Sequence, residues 1–134
     1  MSDKPTILVA DDDADILDQI RLALASEGYE LVEAGTQQEA DEILLGLRPD
    51  LAILDLMMDE MDSGFVLCHQ IKKLYPGTPV ILLSAVTATT GLDFRPTTAE
   101  ERAWVKADLV LHKPVVPERL RADVRRMLDR PLAP

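Results

Sequence analysis

The sequence predicts an α/β fold, a single parallel sheet covered by helices on both faces, and three observations carry that expectation. Short apolar or β-branched runs alternate with segments of helical periodicity five times along the chain. Runs such as ILLSAV are apolar at consecutive positions, as strands buried on both faces must be. Several of the runs also end at or beside a residue capable of polar chemistry: Asp11, Asp55, Ser84 and Lys113.

Taken in order, residues 6–10 (TILVA) make a first buried strand, ended by Asp11, Asp12 and Asp13. Ile16, Leu17, Ile20, Leu22, Leu24 and Ala25 then recur at roughly helical spacing up to Gly28, a helix stop. ELVEA, residues 30–34, reads as a second, weaker strand. Thr36-Gln37-Gln38-Glu39 follows the capping-box pattern, in which a hydroxyl and a carboxylate three residues apart satisfy backbone N–H groups left over at a helix start. The helix it opens carries Ala40, Ile43, Leu44 and Leu47 and ends before Pro49. A third strand spans 51–56, and a helix over 64–75 turns Phe65, Leu67, Cys68, Ile71 and Leu74 inward. PVILLSAV, residues 79–86, is the fourth strand, and 109–111 a short fifth. The last helix covers 116–128, with Leu120, Val124, Met127 and Leu128 apolar. Pro117 fits its first turn, where no N–H is needed. The stretch 87–98, TATTGLDFRPTT, is too polar and too broken by Gly and Pro to be assigned a helix. With no internal repeat, low-complexity tract or linker, residues 1–134 are expected to form one domain, its core at about 5–129 and a short tail at 130–134.

Composition narrows the function classes. The chain is 47% hydrophobic and 28% charged, which is the balance of a soluble globular protein and not of a disordered one. No apolar run approaches the ~20 residues that span a bilayer, and MSDKPTILVA lacks a signal-peptide layout, so a cytoplasmic protein without membrane partners is expected. Cys68 is the only cysteine and has no partner for an internal disulfide, which suits a reducing compartment. The net charge of −10, from 24 acidic and 14 basic residues, disfavours direct nucleic-acid binding. Arg119, Arg121, Arg125 and Arg126 are interleaved with Glu118 and Asp123 and read as a solvated helix face. His69 and His112 lack metal-ligand company, while Cys68, Met57, Met58 and Met61 read as packing.

The chemistry concentrates at the strand ends. In an open parallel sheet, ligands bind outside the carboxyl ends of the strands. Asp11, Asp12, Asp55, Ser84 and Lys113 should therefore converge on one rim. Three neighbouring carboxylates cannot all stay ionised unaided. A hard cation resolves the conflict, and Mg²⁺ (with Mn²⁺ as a substitute) suits a site of few carboxylates, water and phosphate. An ionised carboxylate nucleophile, a metal, an ammonium and a hydroxyl donor together suit phosphoryl transfer without a general base. The plainer reading of Asp11, Asp12 and Asp13 is that they cap the first helix, since acids favour helix N-termini.

ILVADDDADIL, LAILDLMMDEMDSGF, VILLSA and LHKPV resemble, in order and at suitable spacing, the four signature segments of response regulator receiver domains (CheY-like) of two-component signal transduction. The resemblance implies a flavodoxin-like three-layer fold with a five-stranded parallel sheet in the order 2-1-3-4-5. It implies that Asp55 is the aspartate phosphorylated by a histidine kinase or a histidine phosphotransfer protein. Asp11 and Asp12 would hold Mg²⁺ together with Asp55 and the backbone carbonyl of Met57. Ser84 matches the switch hydroxyl, Ala85 the small residue after it, and Lys113 the lysine preceding a proline, here Pro114, across a bond that is typically cis. Met57 and Val86 occupy the positions that tune hydrolysis; neither can hydrogen-bond an attacking water, so a phosphoaspartate lasting minutes or more is expected. The domain would catalyse only its own phosphorylation and dephosphorylation, and would not be an enzyme in the turnover sense.

Departures from the family pattern are equally visible. Asp59 stands where receivers usually carry a proline, and the turn Met61-Asp62-Ser63-Gly64 is one residue longer. Val110 occupies the position of the switch aromatic. The segment 87–108 is longer than usual, with Leu92, Phe94 and Trp104 as either structural anchors or parts of a remodelled partner surface. The downstream protein is not legible, nor is whether the receiver stands alone or is cut from a longer chain. Two competing readings follow: a phosphorylation-independent interaction module, and a small Mg²⁺-dependent phosphatase with Asp55 as nucleophile. The latter class usually carries a second acid where this chain has Met57.

Overall fold

Alternation along the strands decides the architecture. In the computed structural model, which describes residues 4–56, 58, 63–84 and 107–129, the strands are β1 (Thr6–Ala10), β2 (Glu30–Ala34), β3 (Leu51–Asp55), β4 (Val80–Ser84) and β5 (Leu109–His112). They form one parallel sheet in the order β2-β1-β3-β4-β5, the flavodoxin-like order expected. Among the described residues there are four α-helices: α1 (Ala14–Leu24), α2 (Gln37–Gly46), α3 (Ser63–Leu74) and α4 (Pro117–Asp129). None of them is long and apolar enough to cross a membrane.

Successive strand side chains point to opposite faces, so each central strand feeds two separate cores. Ile7, Val9, Leu51, Ile53, Ile81, Leu83 and Leu111 pack against Ile16, Ile20, Leu24, Leu120, Val124 and Met127 of α1 and α4. Leu8, Ala10, Ala52, Leu54, Val80 and Leu82 pack against Ala40, Leu44, Leu67, Cys68 and Ile71 of α2 and α3. Every residue of β3 and β4 is buried, which explains their unbroken apolar character. Each fully buried Leu or Ile contributes roughly 1.5–3 kcal/mol of transfer free energy, so the middle of the sheet is its most firmly fixed part.

The local signals act largely as expected. Thr36 Oγ1 accepts the Glu39 backbone N–H at 3.1 Å and starts α2. Pro117 is the first residue of α4. The first helix departs from expectation near its end, where Ala25–Glu27 tightens into a 3₁₀ turn that Gly28 stops at φ +78°. That left-handed backbone favours glycine. The buried face of α1 is Ile16, Ile20, Ala23 and Leu24, whereas Leu22 is 76% exposed. Residues two apart lie on different sides of a helix, so Leu22 cannot share the face of Ile20. Leu74, expected inward, is also largely exposed in the final turn of α3. β3 ends at Asp55 and not at residue 56, and β5 runs on to His112 because that residue still pairs with Ser84. Pro79 precedes β4 as an acceptor only, its carbonyl taking the Ala52 N–H at 3.0 Å.

Polar ties fix how the layers meet. Asp108 accepts the Val80 N–H and the Lys72 ammonium, both at 2.8 Å, joining the start of β5 to β4 and α3. The arginines of the last helix are engaged within the chain. Arg125 pairs with Glu27 at 2.6 Å, Arg121 donates to the Ala23 carbonyl at 3.2 Å, and Arg119 and Arg126 flank the buried Asp123 at 3.5 and 3.0 Å.

Candidate functional site

Three of the rows that feed the α1–α4 core run on past the apolar residues into charge. Asp11 follows Ala10, Asp55 ends β3, and Lys113 follows His112; by strand alternation each continues the row of Ile7 and Val9, of Leu51 and Ile53, or of Leu109 and Leu111. The register pairs Ala10 with Leu54, which sets Asp11 level with Asp55. The Asp11 N–H still bonds the Ala34 carbonyl at 3.0 Å, so its backbone remains part of the sheet. Carboxylate oxygens of Asp11, Asp12 and Asp55 lie within 4.8 Å of one another. Asp11 is fully buried and Asp55 is 4% exposed, while Asp12 opens to solvent.

Lys113 supplies the counter-charge. Its Nζ stands 3.2 Å from Asp11 Oδ2 and 3.3 Å from Asp55 Oδ1. Its backbone N–H donates to the Ser84 carbonyl at 2.9 Å, and the Lys113–Pro114 peptide bond is cis, as the resemblance implied. Burial raises the Asp55 carboxyl to about 6, the Asp11 charge adds to that rise, and the Lys113 cation opposes it. For Lys113, burial acts to lower the pKa, but the two carboxylates outweigh it and hold the ammonium above its usual range.

The helix-capping role falls to Asp13 among the three acids. Its Oδ1 accepts the Asp15 N–H at 2.9 Å and caps α1. Its own N–H donates to Asp11 Oδ1 at 2.9 Å, which orients the Asp11 carboxylate. Asp11 Oδ2 is left buried beside Lys113 with no hydrogen bond among the described residues. An all-oxygen donor set in which two buried carboxylates share one ammonium fits a hard divalent cation.

Ser84, the last residue of β4, has a buried Oγ without a hydrogen-bond partner among the described residues. Val110 is half-buried in β5 opposite Leu82, against the α2–α3 core, and walls a cleft of about 150 Å³ beside Leu111 and Pro114. Cys68 and Met58 are core residues, as expected. His69 and His112 are exposed, and neither belongs to a metal-binding group among the described residues. Met57, Ala85 and Val86 lie outside the described residues, as do Asp59, Met61, Leu92, Phe94 and Trp104.

The role of one residue, Gly64, escaped the sequence reading, which placed it only in a turn at the start of a helix. The Gly64 N–H donates to the Leu56 carbonyl at 2.9 Å, and a Cβ built on Gly64 would lie 2.6 Å from both the Asp55 carbonyl oxygen and Leu56 Cα. A glycine at the start of a helix, just after the acidic loop, was the available signal.

Comparison with known proteins agrees with this geometry. A family model described as the response regulator receiver domain matches residues 7–125. The transcriptional regulatory protein GlrR of Escherichia coli K12 is 46% identical over 86 residues, covering 63% of this chain and 19% of that protein. The chain spans 19% of GlrR and 51% of the mycobacterial regulator MtrA from Mycolicibacterium paratuberculosis. A CheY-like receiver domain protein of Methanospirillum hungatei superposes with a TM-score of 0.77 at 28% identity, over 94% of each chain. The response regulator TrrA of Thermotoga maritima, solved in complex with Mg²⁺ and beryllofluoride, does so at 0.73 and 25% identity, over 92% of this chain and 98% of that one. With the matched model running through all five strands and the whole acid–lysine cluster, the chain belongs to the response regulator receiver domains of two-component signalling.

Proposed function

We propose that Asp55 accepts a phosphoryl group from the phosphohistidine of a sensor histidine kinase or histidine phosphotransfer protein, and that the added charge switches a protein-interaction surface. The observation that carries this reading is the placement of Lys113 between the buried Asp11 and Asp55 at the open edge of the sheet. One Asp55 oxygen attacks phosphorus; the new P–O bond forms as the P–N bond breaks, and the donor imidazole leaves with the electron pair. Asp55 needs no general base for this, because a carboxylate titrating at about 6 is ionised at neutral pH. Asp11, Asp12 and Asp55, with the Met57 carbonyl, would hold Mg²⁺, which supplies neutralisation of the phosphoryl oxygens' charge. Lys113 offers a second cation to those oxygens, and Ser84 Oγ, buried and lacking a partner among the described residues, offers a hydroxyl donor. Turning toward the phosphoryl group would carry Ser84 and, behind it, Ala85 inward. Met57 and Val86 bring no group that activates water, so the phosphoaspartate persists for minutes or more.

The output passes to a downstream protein or, through a longer polypeptide, to DNA. GlrR is named a transcriptional regulatory protein, and this chain corresponds to only 19% of its length. Val110, without an aromatic ring to swing inward, favours a second reading, a receiver-like module whose partner binding is independent of phosphate. Intact mass after acetyl phosphate, with and without Mg²⁺, tests the proposal. One phosphoryl group should appear on the wild type only with Mg²⁺ and be absent from Asp55→Asn; a label on the variant at this site overturns it. Partner binding unchanged by beryllofluoride would favour the second reading.

A further inference from the structure

Gly64 is buried in the first turn of α3, where the backbone of that helix meets the end of β3. Its φ is not in the left-handed region, since Gly28 is the only residue of positive φ among those described. Backbone conformation therefore does not demand glycine here. Close approach does: a Cβ would stand 2.6 Å from the Asp55 carbonyl oxygen, 2.6 Å from Leu56 Cα and 3.0 Å from the Leu56 carbonyl oxygen. All three are backbone atoms, so no flexible side chain can move aside. By contrast, a Cβ on Gly46 would meet nothing within 4 Å.

We propose that Gly64 is a positioning residue for Asp55, one that sets the backbone of the phosphoryl acceptor by bringing no side chain to it. The inference rests on Asp55 being that acceptor. Asp55 and Leu56 are clamped from two sides. The Leu56 N–H bonds the Leu83 carbonyl of β4 at 2.9 Å, and the Leu56 carbonyl accepts the Gly64 N–H at 2.9 Å. Relieving a 2.6 Å contact to the ordinary 3.4 Å requires a shift of about 0.8 Å. Either the Asp55–Leu56 backbone yields, or the first turn of α3 lifts. The first moves the Asp55 carboxylate relative to Asp11 and Lys113, which other strands hold. The second changes the distance between Leu56 and the start of α3, across which the Gly64 N–H meets the Leu56 carbonyl. α3 resists lifting, because Leu67, Cys68 and Ile71 anchor it in the core. Misplacing a reacting group by about 1 Å costs on the order of 100-fold in rate.

The test compares phosphorylation rate by acetyl phosphate at saturating Mg²⁺ for wild type, Gly64→Ala, Gly46→Ala and Leu67→Ala. Leu67→Ala serves as a destabilised control that touches the same helix one turn from the contact. Gly64→Ala should slow phosphorylation roughly tenfold or more per folded molecule and weaken Mg²⁺ binding, while the other two keep the wild-type rate. A Gly64→Ala rate equal to wild type, or an equal loss in Leu67→Ala, overturns the proposal. Absence of any label on the wild type instead removes the Asp55 reading itself. Should Gly64→Ala fail to fold, amide exchange of the wild type decides the matter. Mg²⁺ and beryllofluoride should slow exchange at Gly64 more than at Ile71, and equal slowing at both overturns the proposal.

Discussion

Replacing Asp55 by Asn should stabilise the metal-free protein at neutral pH, although it removes the proposed phosphoryl acceptor. The Asp55 carboxyl is only 4% exposed and titrates at about 6, against 3.8 for the unperturbed group. A raised acid pKa means that the folded state binds the proton more tightly than the unfolded chain does. Stability is therefore lost as pH rises from the unfolded value through the folded one. At ~1.36 kcal/mol per pH unit, that gap gives a penalty of ~3 kcal/mol above pH 6 and none below about pH 4. Asn imitates the neutral carboxyl at every pH. Urea unfolding in metal-free buffer at pH 7.5 should thus find Asp55→Asn more stable than wild type by up to ~3 kcal/mol, with the two converging at pH 4. An equal or lower midpoint for the variant at pH 7.5, or a gain that does not change between the two pH values, would refute the reasoning.

The same geometry makes further predictions. Lys113→Ala removes the cation that opposes the rise at Asp55, so the Asp55 midpoint should climb above about 6 in a carboxyl-detected NMR titration; an unchanged midpoint contradicts the pairing. Asp13→Ala should cost about 1 kcal/mol in urea unfolding through loss of the α1 cap, whereas Asp13→Asn keeps the cap and should stay within a few tenths. Mutating the two sides of the helices should separate cleanly. Ile71→Ala leaves a cavity under α3 and should cost about 2–5 kcal/mol, but exposed Leu22→Ser should stay within about 0.5 kcal/mol. Equal losses at the two positions would mean that the face of α1 is misassigned.

What the sequence made legible is what alternation and strand ends control. LAILD and VILLS are apolar at every position before their polar ends because the sheet is covered twice, and that alone implies buried parallel strands. Asp11, Asp55 and Lys113 were recoverable because each follows such a strand at the same edge. Leu22 misled because it is apolar and close in sequence to residues that are buried, whereas facing depends on angle about the helix. Asp123 was read as part of a solvated face, yet it is buried between Arg119 and Arg126, where ion pairing offsets the loss of water. The Gly64 contact was invisible for a different reason. It is a distance between a helix start and a strand end, and no local pattern encodes how closely two backbones pass.

The site also has a chronology. Its acids lie at residues 11, 12 and 55, but the ammonium that stands between the two buried ones arrives at residue 113, after the fourth strand and the long segment beyond it. A chain emerging from the ribosome thus presents Asp55, the proposed phosphoryl acceptor, well before the lysine that pairs with it is made. Until β5 docks on β4 and delivers Lys113, Asp55 and Asp11 repel each other across the open sheet edge. The proposed acceptor therefore gains its counter-charge only once β5 is in place, by the order in which the residues are made.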